Sequence, residues 1–264
     1  MELGNIDPVA FEIGPLVVRW YALAYIAGIL GGWWLATRMA DRPGAPWTRR
    51  HIDDFITWVT IGIIAGGRLA YVLFYNLPYY IEDPLAIIRL WDGGMSFHGG
   101  VIGVGVAILW FCRKHRLDWL RVADYVACVV PIGLGLGRIA NFINGELWGR
   151  VTTSPVGVIF RTGGPLPRHP SQLYEAFLEG LVLLVILLVL FYRTEARRMP
   201  GRLTGAFLLF YGLFRFAVEF VREPDSQLVE FAQATGLHMG QWLCVPMILG
   251  GLYLFVTAPK RQAA

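Results

Sequence analysis

The chain has 264 residues, of which 56% are apolar and only 16% charged, and its mean hydropathy is +0.52. That balance argues against an ordinary soluble domain. The net charge of +4 does not indicate a nucleic-acid partner either, because the basic residues are not gathered on one segment.

The long apolar runs do not alternate in polarity, so a transmembrane barrel is not expected. The expected fold is all-α: a polytopic bundle of seven transmembrane helices forming a single integral-membrane domain over 1–264. Cys112, Cys128 and Cys244 lie in or beside apolar segments without CxxC spacing, and the acids are scattered, so no metal and no other cofactor is implied. The first residues carry Glu2, Asp7 and Glu12 without a basic start, unlike a cleavable signal peptide.

Taken in order, the predicted spans are 16–37, 53–76, 95–112, 122–142, 174–192, 203–221 and 241–257, most of them near the ~20 residues that cross the hydrocarbon. Fourteen of the 23 Lys and Arg fall in the loops 38–52, 113–121 and 193–202 and in the C-terminal tail. The other loops hold Arg89, Arg150, Arg161, Arg168 and Arg222, and most of the acids, including Glu82, Asp83, Asp92, Glu223, Asp225 and Glu230. The positive-inside rule then puts the N-terminus outside and the C-terminus in the cytoplasm.

With that orientation, Tyr21 on span one, Arg68 on span two, His98 at the start of span three, Arg138 on span four and Arg215 on span six share the outer half of the bilayer. A charge at the centre of a membrane helix costs about 2.5–3.5 kcal/mol on insertion scales. Three arginines at similar depth therefore imply a polar, anion-attracting cavity open to the outer leaflet. The long outer loop 143–173, with a short strand expected at VGVIF, lies beside that cavity and suits a gate or a substrate contact.

Each candidate residue has a functional and a structural reading. Arg138, Asn141 and Asn144 step by three along one helix face, ahead of Glu146, Trp148, Gly149 and Arg150. Arg138 could fork onto a phosphate with Asn141 as an added donor, or could pin two helices together as an ion pair. Gly133 and Gly137 form a GxxxG and read as packing. Tyr211, Arg215, Glu219 and Arg222 form a polar stripe on an apolar helix. Glu219 is the natural i+4 partner of Arg215, and the pair could be self-neutralising or could also touch a ligand. His98, followed by Gly99 and Gly100, could accept a proton near neutral pH or could serve as an interfacial residue. Arg68 reads as structural, although its depth also admits substrate contact. HPSQLYE reads as a helix start with Ser171 as N-cap and Glu175 in the first turn.

GRIANFINGELWGR, WDGGMSFHGG, GGRLAYVLFYN, RHPSQLYE and YGLFRFAVEFVREPD together make the chain resemble the bacterial prolipoprotein diacylglyceryl transferases over nearly its whole length. The loop after Arg150 is shorter than in some members. The resemblance implies an inner-membrane enzyme with its active site facing the outer leaflet. It would transfer the diacylglyceryl group of phosphatidylglycerol to the lipobox cysteine of prolipoprotein signal peptides, releasing glycerol phosphate. It places Arg138, Asn141, Glu146 and Gly149 at signature positions, and Tyr21, His98, Tyr211, Arg215 and Glu219 at others implicated in function. On this reading His98, Arg138 and Arg215 are catalytic. Tyr21, Arg68, Asn141, Asn144, Glu146, Gly149, Tyr211, Glu219 and Arg222 bind substrate. The alternatives are a lipid or anion transporter with an arginine-lined cavity and a structural membrane subunit whose arginines pair only with acids.

Overall fold

The computed structural model describes residues 6–14, 16–223 and 236–261, so Asp225 and Glu230 lie outside the described residues. Strands β1 (Val9–Ile13) and β2 (Leu16–Arg19) form an antiparallel hairpin. Long helices follow: α1 (Trp20–Ala40), α2 (Arg49–Phe74), α4 (Phe97–His115), α5 (Trp119–Asn144), α6 (Ser171–Arg193), α7 (Arg202–Val218) and α8 (Met239–Thr257). A short helix, α3 (Leu77–Glu82), lies between α2 and α4. Among the described residues, four helices are long and apolar enough to cross a membrane: α2, α5, α6 and α8, the last extended to Arg261.

The long helices overlap the seven predicted segments but do not share their ends: residues 16–19 of the first segment form β2 instead of helix, and α2 and α7 stop at Phe74 and Val218, short of the predicted 76 and 221, while other ends run past the prediction. α2 begins at Arg49 rather than 53, and α4 continues to His115 rather than stopping at 112. Hydropathy falls at the first basic residue, whereas the backbone hydrogen-bond ladder does not. Arg113, Lys114 and His115 occupy the last turn of α4, where cations complement the helix dipole. α2 also starts ahead of its apolar run because Thr48 and His51 form a reciprocal capping box.

The chain divides into two compact units. The first, 36–123, is built on the α2–α4 pair. Two small-residue stripes, Gly62/Gly66 and Gly99/Gly103, face one another there. A Cβ on Gly103 would lie 1.9 Å from the Gly62 carbonyl oxygen, and one on Gly66 would lie 2.3 Å from that of Gly99. Backbones this close exclude any side chain, so these stripes set the crossing. At one end of the pair Phe55 packs on Phe111 and Trp47, with ring centroids 5.3 and 5.5 Å apart. Lys114 lies over the Trp58 and Trp110 rings.

The second unit comprises 1–35 and 124–264. Here α5 meets α6 at Gly135 and Gly180, where a Cβ on Gly180 would stand 2.6 Å from Gly135 Cα. The anticipated GxxxG is only partly used. A Cβ on Gly28 of α1 would stand 3.1 Å from Gly133 Cα, but a Cβ on Gly133 or on Gly137 would itself meet nothing within 4 Å. α7 is capped from a distance: buried Asp124 accepts from the backbone N–H groups of Gly201 (2.8 Å) and Thr204 (2.7 Å), and from the Thr204 hydroxyl.

Candidate active site

In the second unit, α5, α6 and α7 direct charged side chains at one another. The centre is Glu175, which is fully buried. Its Oε2 lies 2.6 Å from Arg138 Nε, and its Oε1 accepts from Arg215 Nη1 at 2.9 Å and Arg222 Nη1 at 2.7 Å. Glu219 pairs with Arg215 at 2.9 Å, the expected i+4 contact, and also faces Arg222 at 3.6 Å. Glu179, again fully buried, stands 3.9 Å from Arg138 Nη2. Arg138, Arg215 and Arg222 thus face Glu175, Glu179 and Glu219, and the formal charges balance. That balance is how a membrane-grade region keeps three guanidinium groups, since each alone is costly there.

Arg138 differs from the other two arginines. Its contact with Glu175 is an ion pair without a hydrogen bond, because Glu175 Oε2 accepts none among the described residues. The Arg138 side chain is 19% exposed, close to the 17% of Arg215, while the carboxylates behind it are at 0%. Its planar donor fork is therefore still available to an anion arriving from the open side.

The Asn141 amide, expected as a phosphate donor, and the Asn144 amide are both turned to a carboxylate in this structure. Both side-chain amides donate to Glu146 Oε1, at 2.8 and 3.2 Å. They hold the carboxylate just past the end of α5, where Gly145 and Leu147 turn the chain through positive φ. Fully buried Gln172 donates to the Glu146 carbonyl at 2.7 Å, which ties this corner to α6. Tyr21 hydrogen-bonds with Tyr25 and lies within electrostatic reach of Glu146 and Arg138. Tyr211 stacks on Phe207 and faces Glu179, Arg215 and Arg138.

The loop after α5 is folded by paired backbone segments. Gly149 donates to the His169 carbonyl and Arg150 to that of Val221, each at 2.9 Å. Gly149 is wedged: a Cβ there would lie 2.5 Å from Val221 O and 2.8 Å from His169 O. VGVIF contributes isolated bridge residues, Val158 (paired with Arg168) and Phe160, in place of the expected strand. Arg168 lies 3.8 Å over the Trp148 ring and donates to Gly163 and Gly149 carbonyls and to Glu223. Ser171 is not an N-cap. Pro170 takes that position, and the Ser171 hydroxyl donates to Leu147 O at 3.0 Å. The proline has no cap acceptor to offer, and the serine is used instead to tie helix to loop.

Two predicted site residues, His98 and Arg68, belong to the first unit. His98 is exposed in the first turn of α4, whose start is capped by Ser96 Oγ accepting from the Gly99 N–H. Arg68 is buried and needs no acid. It donates to the carbonyls of Ile87, Ala86, Arg89, Gly93 and Gly94, and so organises the loop after α3. A cavity of ≈ 210 Å³ opens beside it, lined by Tyr71, Asn76, Tyr79, Tyr80 and Asp92.

Sequence reasoning missed Glu175 as the hub, Glu179 beside it, and His238. The His238 ring meets Arg150 Nη2 at 2.6 Å and faces Glu219 Oε1 at 3.5 Å. The available signal was that two carboxylates four residues apart in an apolar span require cations, and α6 carries none before Arg193. Metal-ligating side chains form no cluster among the described residues.

Comparison with known proteins gives the family. The family described as Prolipoprotein diacylglyceryl transferase matches residues 8–257. A Zymomonas mobilis protein named phosphatidylglycerol–prolipoprotein diacylglyceryl transferase is 52% identical over 98% of this chain and 93% of its own length. Its namesake from Vibrio vulnificus is 53% identical over 97% and 93%. A Pseudomonas aeruginosa protein of the same name is 52% identical over 98% and 96%. With the match running from the N-terminal hairpin to the end of α8 at this identity, the chain belongs to the prolipoprotein diacylglyceryl transferase family.

Proposed function

We propose that this chain transfers the diacylglyceryl group of phosphatidylglycerol to the thiol of a prolipoprotein's lipobox cysteine. Family membership supports the reaction class, and the relatives' names state the lipid and the protein substrate. The observation that carries the assignment of the site is Arg138: a partly exposed guanidinium with unused donors, backed by buried carboxylates that fix it in place. Such a group suits a phosphodiester, which offers oxygens in the geometry the fork recognises.

The reaction breaks the glyceryl C–O bond to phosphorus's oxygen and forms a C–S bond. The peptide supplies its own sulfur nucleophile, so the enzyme has two tasks: activating the thiol and stabilising the departing phosphate. Arg138 and Arg215 hold the phosphodiester and balance the charge that develops on it. Arg222 shares Glu175 Oε1 with Arg215 and adds positive charge to the same site. His98 accepts the thiol proton, and glycerol phosphate leaves. Tyr21, Tyr211, Asn141, Asn144, Glu146, Gly149 and Glu219 shape the lipid site, and Arg68 holds the outer loop after α3. We place the chain in the bacterial inner membrane as one integral domain of seven spans, N-terminus outside and C-terminus cytoplasmic, with the site open to the outer leaflet.

The test uses purified protein in detergent with phosphatidylglycerol and a single-cysteine lipobox peptide. Loss of peptide thiol and release of glycerol phosphate should be equal and should appear together. Lipid binding with neither signal would favour the transporter reading. Replacing His98 with Gln should slow thiol loss while leaving lipid affinity within about twofold, because a proton acceptor contributes to the transition state rather than to lipid binding. An equal loss of both would refute that division of roles.

A further inference from the structure

Glu179 has no part in the reaction as described, and its surroundings are unusual. It is fully buried, and neither of its carboxylate oxygens accepts a hydrogen bond among the described residues. Glu175, its neighbour one turn earlier, accepts two. A buried carboxylate without hydrogen bonds persists in its ionised form only through nearby positive charge. Here that charge comes from Arg138 at 3.9 Å, with Arg215 and Arg222 beyond. The other groups facing it are Glu175 on its own helix, Tyr211 on α7 and Cys244 on α8. Glu179 sits in the widened turn Ala176–Val182, where the π-type ladder displaces a side chain from regular helical register.

The arginine cluster is electrically balanced without a ligand. A phosphodiester docking on Arg138 and Arg215 adds one negative charge beside three buried carboxylates. It also engages the guanidinium groups that support Glu179. Of the three carboxylates, Glu179 has the most distant cation, 3.9 Å away against 2.9 Å or less for Glu175 and Glu219, and it has no hydrogen bond among the described residues to lose when it is neutralised. We infer that Glu179 takes up a proton from solvent when a phosphodiester headgroup docks on the arginine cluster, and releases it to solvent when the phosphate product departs. Glu179 is thus a positioning residue: it keeps the cluster neutral with the site empty or filled. This rests on the proposal that the cluster binds the phosphate of phosphatidylglycerol.

The test is calorimetric titration of the purified chain in detergent with short-chain phosphatidylglycerol, in two buffers of different ionisation enthalpy at the same pH. The difference in apparent heat counts protons taken up per lipid bound, and close to one is expected. Affinity should fall as pH rises, by up to about tenfold per pH unit, between the titration of Glu179 in the free protein and in the complex. Glu179→Gln should bind with no proton uptake and no pH dependence, at the strength the unaltered protein shows at low pH. In the infrared, lipid binding to the unaltered protein should add a protonated carboxyl band, a readout that does not depend on the variant folding. Binding without proton uptake and without the band would overturn the inference and leave the phosphate site standing. Proton uptake that persists in Glu179→Gln would overturn it as well, since another group would then be responsible. If the unaltered protein does not bind the lipid, the reading on which the inference rests fails with it.

Discussion

Replacing Glu175 with Gln removes the charge that three arginines share while keeping the shape of the side chain. The three contacts are 2.6, 2.7 and 2.9 Å, but their loss is not additive. Arg215 keeps Glu219 at 2.9 Å, and Arg222 keeps it at 3.6 Å. Arg138 is left with Glu179 at 3.9 Å. The cost is therefore that of removing one partner from a single buried pair, about 3–5 kcal/mol. The lower end applies, because the Gln carbonyl still accepts one bond from Arg215 or Arg222. At roughly 2–4 °C per kcal/mol, the thermal midpoint in detergent should fall by on the order of 10 °C. The same change leaves the cluster with one excess positive charge, so phosphatidylglycerol should bind more tightly. Stability down and lipid affinity up is a combination that simple damage to the fold does not produce. A midpoint within about 2 °C of the unaltered protein, a shift worth no more than about 1 kcal/mol, would refute the hub role.

Other positions give independent checks. Gly149→Ala should cost about 1–3 kcal/mol by overpacking against the Val221 and His169 backbone, and transfer activity should fall more than stability because the Arg150 segment is displaced. Asp124→Asn leaves at least one of the three donors at the start of α7 poorly matched; a loss of about 1–3 kcal/mol is expected in denaturant titration, and no change would argue against capping from a distance. Arg168→Lys cannot keep both the Trp148 face and the Gly163 carbonyl, so limited proteolysis should cut the 150–168 loop faster than in the unaltered chain. Gly103→Leu should abolish accumulation of folded protein, since even a Cβ there meets the Gly62 carbonyl oxygen.

The helices were legible because lipid-facing and core-facing residues are both apolar, and each long run announces itself. Their ends were less legible, since Arg49, Arg113 and Lys114 look like loop residues in hydropathy but continue the helix. At the site, spacing within one helix was sufficient to pair Arg215 with Glu219. It could not give Arg138 a partner, because that partner lies on α6, 37 positions further on. The two asparagines were correctly grouped on one face, but their amides meet Glu146, a contact that depends on the reversal of the chain after Asn144. Arg68 shows the converse limit: backbone carbonyls satisfy it, and carbonyls leave no mark in a sequence.

The central claim is that a partly open arginine on a buried carboxylate base anchors phosphatidylglycerol for transfer to a peptide thiol. The most direct measurement incubates purified protein with that lipid and a single-cysteine lipobox peptide, and reads the peptide mass, with Arg138→Ala run in parallel. The account predicts a diacylglyceryl adduct on the cysteine with the unaltered chain and its loss in the variant. An adduct of equal yield from folded Arg138→Ala would contradict it.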